Sequence, residues 1–135
     1  MAVIDASVWI AWFKKDDKFL GQAEQIIQSV LSSQERVCLP AIAFTKVAGV
    51  IKRISKDSNV ARRAVLLMKD TEPEVFVDFG ELEPIATEIA INHSIKGADA
   101  HYLAVAKMTK SNLYTFDKQQ QDAFDAMGGS DLTEL

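Results

Sequence analysis

A single cysteine, Cys38, is all the thiol chemistry this chain carries, so no intrachain disulfide can form. It lies in an apolar run, where buried packing is the expected role, and its solitude fits a reducing, cytoplasmic setting. No apolar run approaches the roughly 18–20 residues that a membrane span needs. The N-terminus opens on a strand-like segment without a basic n-region, so no signal peptide is expected. Neither GxGxxG nor GxxxxGK[ST] occurs, which argues against dinucleotide and P-loop chemistry. His93 and His101 lack an HxxxH spacing or a cysteine partner, so a zinc site is not expected.

What is present is ordinary globular material. At 135 residues, 48% hydrophobic and 25% charged, the chain is long enough for one good core, and one domain over residues 1–135 is expected. A net charge of −4 speaks against indiscriminate coating of nucleic acid. The charge is uneven, however. Lys46, Lys52, Arg53, Lys56, Arg62, Arg63 and Lys69 face one acid, Asp57, over residues 46–69, whereas five acids face one lysine from Asp117 onward. A basic arm on an acidic body suits a polyanion or an acidic partner; a merely solvated helix face is the equal alternative.

Short apolar runs predict strands over 2–4, 37–39, 75–77 and 113–115. Helical spacing predicts helices over 6–13, 19–32, 42–54, 60–69, 81–92, 98–108 and 118–127. In the fourth of these, Val60, Ala64 and Leu67 are expected to face inward. Trp9, Trp12, Phe13 and Phe19 read as one aromatic cluster, of the core or of a dimer surface rather than a base-stacking platform. Continuously apolar strands alternating with helices indicate an α/β fold with a parallel sheet covered on both faces. Ligands of such sheets gather outside the carboxyl ends of the strands.

Three aspartates stand at element junctions: Asp5 after the first strand, Asp99 at a helix start, Asp117 after the last strand. Each alone is a good helix N-cap, worth about 1 kcal/mol, and capping is the simpler reading for any one of them. Their shared place at a sheet rim supports more. Clustered carboxylates shift toward protonation unless a cation neutralises them. Mg²⁺ or Mn²⁺ is the natural partner, able to stabilise a phosphodiester under in-line attack. Phosphoacceptor regulators of the receiver type instead carry paired acids after the first strand, and Asp5 is followed by Ala6.

The segments VIDASVWIAWF, PAIAFTKVAGVIKR, GADAHYLAVA and LYTFDKQ, in this order and spacing, resemble the PIN-domain family, most closely its VapC-type toxins of toxin–antitoxin pairs. The resemblance spans essentially the whole chain. It implies an α/β/α sandwich with a parallel sheet of about four to five strands and a Mg²⁺- or Mn²⁺-dependent endoribonuclease acting on RNA. A homodimer and a cognate antitoxin that covers the active site are implied as well. Carried over, Asp5 matches the family's first acid, Asp99 the third and Asp117 the fourth, with Thr115 at a supporting hydroxyl position. Ser7 lies close enough to Asp5 to assist. Lys52, Arg53, Arg62 and Arg63 are the candidates for RNA or partner contact.

One position departs from the pattern. The second acid, a glutamate ahead of the V-A-x-x-hydrophobic segment, is Lys46 here. An ammonium near carboxylates acts as a counter-cation itself, removes an oxygen ligand and repels a divalent ion. Three readings follow. Lys46 points outward while another residue such as Glu88 supplies an oxygen; the protein is a weakened nuclease or a catalytically silent module that binds protein or RNA; or this chain was altered there to silence it.

Overall fold

The computed structural model describes residues 1–77 and 80–129. Four strands, β1 (Ala2–Ile4), β2 (Val37–Pro40), β3 (Glu74–Phe76) and β4 (Asn112–Tyr114), form one parallel sheet in the order β3-β2-β1-β4. Seven helices flank it among the described residues: α1 (Ala6–Phe13), α2 (Leu20–Ser32), α3 (Ile42–Ser55), α4 (Ser58–Asp70), α5 (Leu82–His93), α6 (Gly97–Thr109) and α7 (Lys118–Ala126). The molecule is the α/β fold that the alternation of apolar strands and helices predicts.

The first strand sits in the middle of the sheet, and its register with β4 (Ile4 beside Tyr114) brings the two carboxyl ends level. All three β1 residues are fully buried, as an interior parallel strand requires. The alanine-rich α6 packs directly on β1, β2 and β4. Its small side chains let the helix lie close to the sheet, and Ala100, Leu103, Ala104 and Val105 are fully buried there. Consecutive helices pack in pairs, α1 on α2, α3 on α4 and α5 on α6.

Several expectations are corrected. The third strand runs over Glu74–Phe76 rather than 75–77, and as the sheet edge it is less buried than the others, with Val75 39% exposed. In α4 the inward stripe is Ala61, Ala64 and Met68, while Val60 and Leu67 are exposed. The packing of α4 on α3 buries Ala61, Ala64 and Met68 and leaves Val60 and Leu67 outside the contact. The aromatic cluster divides in two. Trp9, Trp12 and Phe13 contact one another, but Phe19 stacks on Phe116 with ring centroids 4.7 Å apart. Asp99 does not precede its helix; α6 begins at Gly97, so Asp99 lies inside the first turn. No helix among the described residues is long and apolar enough to cross a membrane.

Candidate active site

The end of β1 is held from two sides. The Trp9 indole Nε1 donates to the Ile4 carbonyl at 2.9 Å, and the Asp5 backbone N–H donates to the Tyr114 carbonyl at 2.9 Å. Asp5, the N-cap of α1, is thereby fixed at the sheet rim with only 2% of its surface exposed. Its Oδ2 accepts from Ser7 Oγ at 2.7 Å, Thr115 Oγ1 at 2.9 Å and Ser7 N at 3.3 Å. Its Oδ1 is buried and has no hydrogen-bond donor among the described residues.

The two hydroxyls form a small relay. Thr115 Oγ1 donates its proton to Asp5 and accepts the Asp117 N–H at 3.0 Å, while Ser7 Oγ donates to Asp5 and accepts the Phe116 N–H at 3.0 Å. Each hydroxyl proton is then committed, so the 3.3 Å approach of the two oxygens adds no further bond. Asp117 caps α7, its Oδ1 accepting from Gln119 N at 2.9 Å and Gln120 N at 3.3 Å. Capping and site membership therefore coexist in this residue.

Asp99 lies in the first turn of α6, near enough for the charges of Asp5 and Asp117 to act on it. Burial pushes its carboxyl above the ordinary carboxylate range; Lys46 opposes that push, and the charges of Asp5 and Asp117 add to it. The Lys46 ammonium lies 3.7 Å from Asp99 Oδ1. This contact overturns the reading in which Lys46 points outward and Glu88 replaces it. Glu88 lies in a separate hollow with Asn92, His93 and Lys107.

The structure thus gathers Asp5, Ser7, Asp99, Thr115, Asp117 and Lys46. It scatters the basic arm. Lys52, Arg53, Arg62 and Arg63 are all exposed outside the acid cluster. Arg53 shares a hollow with Lys46, Arg63 lines another beside Trp12 and Phe13, and Arg62 is bonded to Asn59 at 3.4 Å.

Two buried residues of this region escape a reading by motif. Tyr102, one helical turn after Asp99, is fully buried, and its hydroxyl approaches the Ala6 backbone without completing a hydrogen bond. Burial, then the charges of Asp5 and Asp99, hold its phenol well above the ordinary range. Gln120 Nε2 donates to the Asp99 carbonyl at 3.3 Å, tying α7 to α6. The available signals were the i, i+3 spacing from Asp99 and the D-x-x-Q capping pattern that begins at Asp117.

The donor set suits a hard cation in part. A buried carboxylate oxygen without a donor costs about 1–3 kcal/mol or more, so Asp5 Oδ1 is an acceptor in need of a partner. Asp99, raised by burial and by its acidic neighbours, is another group that a cation would relieve. Mg²⁺ asks for only one or two carboxylates and keeps several waters. Against this, no three His, Cys, Asp or Glu side chains among the described residues converge as a ready-made cage, and Lys46 already leans on Asp99.

Solved structures share the fold. VapC20 of Mycobacterium tuberculosis, described as a sarcin–ricin loop cleaving toxin, superposes with a TM-score of 0.78 at 22% identity, covering 91% of this chain and 95% of its own. PAE2754 of Pyrobaculum aerophilum superposes with a TM-score of 0.66 at 17% identity, covering 90% and 78%. At these identities the likeness is one of fold. No curated protein matches the sequence. The PIN domain profile matches residues 2–125, taking in β1, β4 and every member of the carboxylate cluster. The chain belongs to the PIN domain family.

Proposed function

We propose that this chain is a divalent-metal-dependent endoribonuclease of the VapC toxin type, with Asp5, Asp99 and Asp117 holding Mg²⁺ or Mn²⁺. The observation that carries the reading is Asp5 Oδ1, a buried acceptor with no donor at the end of the central strand. RNA as the substrate class is supported by the likeness to a toxin described as cleaving the sarcin–ricin loop. A bound ion of this kind supplies Lewis-acid stabilisation of charge on a phosphodiester under in-line attack.

The chain's own residues prepare the site. Ser7 and Thr115 saturate Asp5 Oδ2, so the lone pairs of Oδ1 stay available. Thr115 also accepts the Asp117 N–H, which fixes the two carboxylates relative to each other across β1 and β4. Asp117 spends Oδ1 on the α7 cap. Gln120 anchors the backbone of Asp99. A cognate antitoxin and a homodimer are the partners that accompany this reading.

The 3.7 Å contact of Lys46 with Asp99 favours a second reading, a silent PIN module that binds protein or RNA without cutting it. Calorimetric titration of Mn²⁺ into the parent protein, Asp5→Asn and Lys46→Glu separates the two. Metal binding by the parent, lost in Asp5→Asn and accompanied by RNA cleavage, is the outcome expected of a working nuclease. Lys46→Glu should then bind Mn²⁺ at least about 10-fold more tightly, the scale at which altered ligand surroundings act. Binding only after Lys46→Glu would establish the silent module and overturn the nuclease.

A further inference from the structure

The lysine that leans on Asp99 has a second side. Lys46 also lines an open hollow of about 340 Å³ with Ile42, Thr45, Gly49, Val50, Arg53 and Ala98. Two of these residues are cationic, one carries a hydroxyl and none is acidic. Lys46, Gly49 and Arg53 follow at i, i+3 and i+7, which puts them on one face of α3. Glycine in the middle leaves room beside it for the Arg53 guanidinium. Arg53 Nη1 lies 3.5 Å from where a Cβ at Gly49 would stand, so the guanidinium folds back beside Gly49. Among the described residues Arg53 pairs with no carboxylate. At 3.7 Å, Lys46 is beyond hydrogen-bond length from Asp99, and its side chain is 31% exposed, so its ammonium retains donors for another acceptor.

Ala98, the neighbour of Asp99, closes the hollow on the α6 side. The cation pair therefore adjoins the carboxylate cluster, with Lys46 shared between them.

We infer that the Lys46–Arg53 hollow is a phosphate subsite that holds the RNA backbone next to the acids. The inference rests on RNA being the ligand and deepens that reading; it does not require cleavage. It gives Lys46 a positive use: the charge that weakens metal binding strengthens the grip on substrate. Two cations in a hollow whose own lining holds no acid, Asp99 reaching Lys46 from outside it, recognise the backbone rather than base edges, and the Arg53 guanidinium can grip a phosphate with two N–H groups.

Fluorescence anisotropy of a labelled, mixed-sequence single-stranded RNA tests this in EDTA, where metal and cleavage play no part. Lys46→Ala and Arg53→Ala should each weaken binding several-fold and lower the slope of log affinity against log salt by about 0.7. Lys107→Ala, an exposed lysine toward the far end of α6 from Asp99, should bind as the parent does. Single-stranded DNA of the same length should lose affinity in parallel, since phosphate contacts carry no sugar or base identity. Thermal melts of the three variants should stay close to the parent's. A parent that does not bind RNA, equal binding by parent, Lys46→Ala and Arg53→Ala, or a loss confined to RNA would overturn the subsite. A parent that binds in EDTA through Lys46 and Arg53 yet never cuts with Mn²⁺ would sink the nuclease reading and leave the subsite standing.

Discussion

Thr115 does more at residue scale than its place behind a strand would indicate. Its single hydroxyl serves two masters, donating to Asp5 Oδ2 at 2.9 Å and accepting the Asp117 N–H at 3.0 Å. Thr115→Val keeps the shape and removes both bonds. A hydrogen bond to a charged group is worth about 1.5–3 kcal/mol, and an N–H left without its acceptor adds to the loss. Thr115→Val should therefore lower the unfolding free energy by about 2–3 kcal/mol in urea titration. Thr115→Ser, which keeps the hydroxyl, should recover most of it. Equal loss in both variants would show that the methyl group, not the relay, matters.

The aspartates separate at the scale of elements. Capping and chemistry are confounded in Asp117, because the carboxylate that faces the cluster also closes the first turn of α7. Asparagine caps as well as aspartate but carries no charge, whereas alanine does neither, at a cost of about 1 kcal/mol. Asp117→Asn should melt with the parent and lose Mn²⁺-dependent RNA cleavage; Asp117→Ala should lose both. If Asp117→Asn keeps full cleavage, Asp117 is a cap and nothing more. The same scale explains what the sequence let one read. Asp5 and Asp117 were legible because an apolar strand that stops on an acid has only one rim to put it on. The direction of Lys46 was not, because it depends on the rotation of α3 against α6. In α4 the pattern held two overlapping stripes, Val60–Ala64–Leu67 and Ala61–Ala64–Met68, and packing against α3 selected the second, which the sequence pattern does not distinguish from the first. Tyr102 falls within the alanine-rich run of α6, and nothing in its neighbours' identities marks the hydroxyl as unpaired among the described residues.

Over the whole molecule, the buried sheet that positions the site also sets how the protein answers to alkali. Cys38 is fully buried in β2, and burial pushes its thiol up, with the charge of Glu74 adding to the push; the N-terminal ammonium, Arg36 and the Ser111 hydroxyl oppose it. Burial likewise raises Tyr102 and Tyr114. All three are acids that the native state keeps neutral. Once the pH passes a group's ordinary value, the unfolded chain releases a proton that the folded chain retains, so the unfolded state binds fewer protons and stability falls as pH rises. The first fall should begin near the ordinary thiol value of 9.0 and belong to Cys38; a further one should begin near the ordinary phenol value of 10.0 and belong mainly to Tyr102. Urea midpoints at intervals from about pH 7 to about pH 10.5 follow this directly, since a stability change moves the midpoint in proportion. In Cys38→Ala the first fall should disappear while the second persists, whatever the small cavity costs at neutral pH. Parent and variant curves that run parallel through the thiol range would mean that Cys38 ionises as freely inside the sheet as outside it.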